Sequence, residues 1–192
     1  MKKAAAGLGL AGLMLTGCVQ SLNPLYTEED LVFEPKLLGE WAEADDAKER
    51  WTFARAGEKA YQVTYESEGK RGLFEVHLLR LGQQLYLDFY PDKAAMEAMA
   101  ANDLYKFHWL PVHTFARVYQ VEPELGLAFM DPDWLAKKLA QDAGAIAHVR
   151  RGDDQLVLTA STSALQAFVQ KYAGEAFGDG NPDKLRRVKL PD

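Results

Sequence analysis

Between Trp51 and Phe89 the chain alternates apolar and polar residues with a period of two. Trp51 and Phe53 flank Thr52. Tyr61, Val63 and Tyr65 alternate with Gln62, Thr64 and Glu66; Phe74, Val76 and Leu78 with Glu75 and His77; and Leu85, Leu87 and Phe89 with Tyr86 and Asp88. Successive side chains of a strand point to opposite faces, so this pattern belongs to half-buried antiparallel strands. The turn signals between them, Ala56-Gly57-Glu58, Glu68-Gly69-Lys70 and Leu81-Gly82-Gln83, leave room only for hairpin connections. The segments therefore form an up-and-down meander.

Strands are expected to resume over Thr114 to Val121, Gly126 to Met130, Ile146 to Arg150 and Gln155 to Ala160. Residues 94 to 102 suit a short helix around Met96 and Met99. Asp131-Pro132 supplies an N-cap and a first-turn proline for a second helix, which Gly144 closes. Ser163 with Gln166 matches a capping box for a third, whose Leu165, Phe168, Val169 and Tyr172 fall on one face and should dock on the sheet. The fold class is thus mainly β with added α: an antiparallel meander with two or three peripheral helices. Such a meander either closes into a barrel, which removes its strand edges, or stays a strongly curved sheet with a helix over its open side. A barrel of about eight strands fills with side chains or holds one small ligand.

The amino-terminal segment differs in kind. Lys2 and Lys3 precede the apolar run Ala4 to Leu15, and small residues follow at Thr16 and Gly17. That order is the pattern of an export signal, and the run falls short of the roughly 20 apolar residues a membrane span needs. Leu15-Thr16-Gly17-Cys18 contains the only cysteine of the chain and resembles the lipobox of bacterial lipoproteins. The resemblance implies that Cys18 receives a diacylglycerol, that the signal at 1–17 is removed, and that the new amino terminus is acylated. By that family's sorting rule Val19, rather than an aspartate, favours the outer membrane. Residues 18–35 then read as a lipidated tether, although Leu22, Leu25, Tyr26, Leu31, Val32 and Phe33 are costly to leave wet and some should pack. Residues 36–192 form one β-rich domain.

Cutting before Cys18 takes Lys2 and Lys3 from the 22 basic residues and leaves 20 against 28 acidic ones, a formal charge of minus eight. That balance argues against nucleic acid or anionic headgroups as partners. With its only cysteine lipidated the chain has no disulfide, so packing alone must stabilise it.

Leu37-Leu38-Gly39-Glu40-Trp41 carries a Gly-x-Trp on the first strand and resembles the opening motif of the lipocalins. In that family the tryptophan closes one end of an eight-stranded barrel, and the last strand runs into a helix packed against the wall. Leu156 to Ala160 running into Ser163 to Ala173 is similar in order and length. A third motif would place an arginine on the tryptophan, for which Arg150, Arg151, Arg186 and Arg187 are candidates. No counterpart of a Thr-Asp-Tyr-like second motif is found, and the helix expected at 131 to 143 is foreign to the simple pattern. Ser21-Leu22-Asn23-Pro24-Leu25-Tyr26 through Trp41 also resembles the start of a group of uncharacterised bacterial lipoproteins, which implies no activity.

Other signals have plainer readings. His108 and His113 stand five apart, but a zinc site needs a third and usually a fourth ligand, and His77 and His148 lie on distant strands. Asp179-Gly180-Asn181-Pro182-Asp183 opens like a calcium loop, yet Lys184 and Leu190 occupy the positions that need glycine and glutamate. Arg151-Gly152-Asp153-Asp154 is a hairpin turn. Asp131 and Asp133 suit helix capping. No serine elbow, metalloprotease motif or phosphate loop occurs. Neither a catalytic residue nor a cofactor is expected.

Trp41, Trp51, Tyr61, Tyr65, Phe89, Phe115, Tyr119 and Phe129 lie on expected strands. In a filled barrel they are core; in an open one they line a pocket for a small hydrophobic ligand. The favoured expectation is a non-enzymatic, membrane-anchored envelope lipoprotein with a filled barrel that docks on another envelope protein. The alternatives are a lipocalin-like carrier and an enzyme without a local motif.

Overall fold

The computed structural model describes residues 18–43, 49–151 and 155–188. The signal expected at 1–17 and most of the turn expected at Arg151 to Asp154 lie outside them. In chain order the strands are β1 (Gln20–Ser21), β2 (Leu31–Val32), β3 (Gly39–Glu43), β4 (Arg50–Arg55), β5 (Ala60–Ser67), β6 (Lys70–Leu81), β7 (Gln84–Pro91), β8 (Thr114–Gln120), β9 (Leu125–Phe129), β10 (His148–Arg151), β11 (Gln155–Leu158) and β12 (Asp183–Arg187). The helices are α1 (Lys93–Ala98), α2 (Asp103–Phe107), α3 (Pro132–Gln141) and α4 (Thr162–Lys171).

Eight strands close into an antiparallel, lipocalin-like barrel in the order β3-β4-β5-β6-β7-β8-β9-β12, with β12 pairing back to β3. The expected meander and its hairpin turns are present. Glu68 and Gly69, with φ of 51° and 74°, make the two-residue turn between β5 and β6, and Gly82, at 60°, opens the next. The short β2 continues the outer edge of β6 beyond the end of β5, pairing Leu31 with Leu79 and Val32 with Leu78.

Three expectations about the carboxyl half are corrected. The closing strand is β12, whereas Gln155 to Ala160 was read as the last strand. β10 and β11 leave the barrel and form a separate small sheet with β1, which runs parallel to β11. Helix α4 therefore precedes the closing strand. Its N-cap is Ser161, not Ser163: the Ser161 hydroxyl accepts from the Ala164 amide. Gln166 turns away from the cap to donate to the Leu25 carbonyl and the Asp30 carboxylate. The expected α3 is present with Asp131 as its cap and Pro132 in its first turn. The single helix expected at 94 to 102 is α1 alone, which ends before Met99, and α2 is the addition to those read from the sequence.

Alternation along the strands builds two cores from one wall. Inward residues, among them Trp41, Phe53, Tyr61, Val63, Val76, Leu78, Leu87, Phe89, Ala116 and Leu125, pack inside the barrel. Outward residues of β6 to β9, namely Leu79, Leu81, Tyr86, Phe115 and Ala128, join a second core with α3, α4 and the small sheet. The stripe Leu165, Phe168 and Val169 is buried there, with Tyr172 half-buried beside it. Much of the segment read as a tether also packs into this second core. Val19, Leu25 and Leu31 are buried in it. Leu22 N–H donates to the Leu158 carbonyl, and Ser21 exchanges two backbone hydrogen bonds, of 2.9 and 2.8 Å, with His113.

Candidate functional site

One end of the barrel is built around Trp41. Its indole N–H donates to the Leu37 carbonyl at 2.8 Å, and its ring is fully buried. Arg187, from the closing strand, lays its guanidinium 4.4 Å from the Trp41 ring centroid. The fork of that guanidinium donates to the carbonyls of Leu38 and Lys36, each at 2.7 Å. Of the four arginines left open by the sequence, Arg187 is thus the one on the tryptophan. The pairing also accounts for Gly39. Its φ is +118°, and a Cβ there would stand 2.6 Å from Arg187 Nη1. Tyr61 and Phe33 close the same end, stacked at 4.8 Å, and the Tyr61 hydroxyl both donates to the Glu34 carbonyl and accepts from the Glu34 amide. Burial pushes its phenol up to about 12.

Towards the other end the rings touch one another across the interior. Trp51 meets Tyr65 at 4.3 Å, Phe89 at 5.8 Å and Phe129 at 6.4 Å, and Phe89 meets Phe129 at 5.5 Å. These are the spacings of aromatic pairs in direct contact. Trp41, Tyr61, Val63, Val76, Leu78, Leu87, Ala116 and Leu125 have 0 % exposure, so none of them borders a space that would admit a water molecule. Six of the eight aromatics expected to line a pocket, Trp41, Trp51, Tyr61, Tyr65, Phe89 and Phe129, therefore share the barrel interior as packed core. Phe115 and Tyr119 do not join them. They occupy outward positions of β8, where Phe115 lies in the second core and the Tyr119 hydroxyl donates to the Phe177 carbonyl at 2.6 Å. Their strand carries apolar residues on both faces, Phe115 and Tyr119 outside and Ala116 and Val118 inside, so the sequence alone does not say which face meets the barrel interior.

Clefts among the described residues lie outside the core. One, of about 410 Å³, is bordered by Glu49, Tyr65, Ser67 and Arg71 at the barrel mouth. Another, of about 280 Å³, runs under the β7–β8 connection between Tyr90, Pro91, Met96, Trp109 and Pro111, with Lys93 and Lys106 at its rim.

The buried polar centre lies on the outer wall and was not anticipated. Asp88, 1 % exposed, accepts from the Leu25 amide at 2.7 Å, and its other oxygen is 2.7 Å from His113 Nδ1. Burial raises the Asp88 carboxyl, against the opposing pull of His113, the Leu25 amide and His77. The Tyr90 ring covers His113 at 4.5 Å, and Tyr26 covers His77 at the same spacing. The signal for this site was a charged residue inside an apolar strand, Asp88 between Leu87 and Phe89. Asp88 is shut away and His113 is 8 % exposed; the pair ties Leu25 to β7 and to the residue that precedes β8.

His108 stands exposed and His113 is buried, and among the described residues no three His, Cys, Asp or Glu side chains gather as a metal would require. The Asp179 to Asp183 stretch is a 3-10 turn, Gly178–Gly180, leading into β12. Cys18 is a half-buried free thiol directly before the packed Val19. No helix among the described residues is long and apolar enough to cross a membrane. Comparison of the chain with protein-family models, with curated proteins and with solved structures found no match.

Proposed function

We propose that the chain is an envelope lipoprotein, held in the outer membrane by acyl groups on Cys18, whose barrel is a filled scaffold. It acts by docking on another envelope component rather than by chemistry or by carrying a ligand inside the barrel. The observation that carries this reading is the packed interior, where eight inward side chains have no accessible surface and the mouth aromatics are in ring-to-ring contact. A carrier needs an apolar space that buries most of its ligand, on the order of 300 Å³ or more. The anchor rests on the lipobox-like Leu15-Thr16-Gly17-Cys18 behind its charged and apolar leader.

Titration with the uncharged hydrophobic dye N-phenyl-1-naphthylamine tests the scaffold reading. The protein should give no saturable fluorescence, whereas one-to-one binding that a fatty acid displaces would establish the carrier. For the anchor, Cys18→Ser should leave an uncleaved precursor that takes up no labelled fatty acid. A variant that matures and stays on the membrane would refute it. Val19→Asp should move the protein towards the inner membrane in a sucrose gradient, and an unchanged distribution would remove the outer-membrane assignment.

A further inference from the structure

We infer that the β7–β8 connection, residues 99–110, lies against the bilayer surface beside the anchor and sets how the domain stands on the membrane; the inference rests on the acylation of Cys18 proposed above. Exposed large apolar side chains of the described residues are Leu22, Met99, Leu104, Tyr105, Phe107, Leu110 and Val149. Five belong to this one connection, with Phe107 exposed to 83 % and Leu104 to 74 %. The other two sit by the chain's entry. Leu22 follows β1, and Val149 lies on β10, one strand beyond the β11 partner of Gln20.

Backbone pairing ties the end of this connection to the segment that follows Cys18. The connection ends at His113, which is hydrogen-bonded in both directions to Ser21. Ser21 is three residues from Cys18, and Leu110 three from His113; a chain spans at most about 3.6 Å per residue. Paired strands add about 5 Å, so Leu110 lies within roughly 27 Å of the acylation site. Because Val19 and Ser21 are already buried in the domain, no long tether can carry the domain away from the membrane. Whatever surrounds Ser21 is held near the bilayer.

The chemistry of the patch suits a lipid interface. Tyr105, Trp109 and Phe107 are large rings, Tyr105 and Trp109 packed edge to face at 5.8 Å, and aromatic residues collect where headgroups meet acyl chains. Lys106 donates back to the Glu97 carbonyl and Lys93 pairs with Glu97, so the local charge is tied within the connection. With a mature charge of minus eight, attraction to anionic headgroups does not drive the contact, and apolar insertion must.

The test uses the acylated full chain in phosphatidylcholine vesicles, with a nitroxide on Phe107→Cys and, separately, on Glu58→Cys. Glu58 is in the exposed turn between β4 and β5, at the opposite end of the barrel. Position 107 should collide more with oxygen than with a water-soluble nickel chelate, and position 58 the reverse. Equal exposure to nickel at both positions would overturn the inference. So would spin–spin broadening at 107 without lipid contact, which would mark a second copy of the chain instead. The mass of the Cys18 peptide from the same sample separates the two levels. An unmodified Cys18 defeats the anchor and this inference together; an acylated Cys18 with a water-exposed position 107 defeats this inference alone.

Discussion

Arg187 and Trp41 hold the two ends of the sheet together: the guanidinium of the closing strand stacks 4.4 Å from the indole of the first barrel strand. Because the same guanidinium donates to the Leu38 and Lys36 carbonyls, it binds the ring, the strand start and the preceding 3-10 turn, Pro35–Leu37, at once. Arg187→Lys keeps the charge but loses the fork, and should cost about 1–2 kcal/mol in urea melts. Gly39→Ala should cost about 1–3 kcal/mol, since it adds both a strained positive φ and a contact with the guanidinium. In an Arg187→Ala background the Gly39→Ala cost should shrink without vanishing, because the contact is gone and the φ strain stays. Strict additivity would show that the close approach is not felt.

Removing a ring should create the space that the wild type lacks. Phe89 touches Trp51, Phe74 and Phe129, and Phe89→Ala should cost about 3–5 kcal/mol. The variant should also bind a benzene-sized molecule, as dry apolar cavities do. Calorimetry checks this, and equal binding by the wild type would mean that the barrel already holds room for a guest.

Asp88 gives a pH dependence of defined sign. Burial raises its folded carboxyl above the ordinary value of about 3.9, so between those two values the folded state holds the extra proton. The contribution of this group is fully present below the unfolded value and is lost as pH rises through the raised folded one. Asp88→Asn removes that slope, and urea melts from about pH 4 upwards should show the wild type losing stability relative to the variant. Parallel curves would place the titration elsewhere.

For α4, Phe168→Asp would bury a carboxylate among Trp134, Tyr172 and the second core, at a cost of several kcal/mol unless the helix lifts away. Amide exchange across Thr162–Lys171 should quicken while β4 to β6 stay protected. Native-like protection of the helix would show that its docking does not depend on this face.

What could be read from the sequence follows the strength of its periodicity. β4, β5 and the first half of β6 alternate cleanly because one face of each meets the barrel interior and the other is largely polar, whereas the end of β6 and β7 bury residues on both faces. β12, Asp-Lys-Leu-Arg-Arg, buries only Leu185, so the strand that closes the barrel carries almost no pattern. Its place was taken in the reading by β11, whose buried Leu156, Val157 and Leu158 look like a barrel strand but belong to the small sheet. Arg187 could not be chosen over Arg150, Arg151 or Arg186 because its role depends on that unread pairing. Helix α4 was legible as a stripe, yet the N-cap was misplaced by two residues because Ser161 and Ser163 both offer a hydroxyl. Asp88 and His113 are 25 residues apart and meet only when β7 pairs with β8.

A native mass spectrum of the protein extracted from its own membranes bears on the central claim most directly, since it weighs anchor and contents together. The account predicts the chain from Cys18 onward plus its covalent acyl groups, with no further mass lost on collisional activation. An unmodified amino terminus would contradict the anchor, and a small molecule released intact in one-to-one amount would contradict the filled barrel.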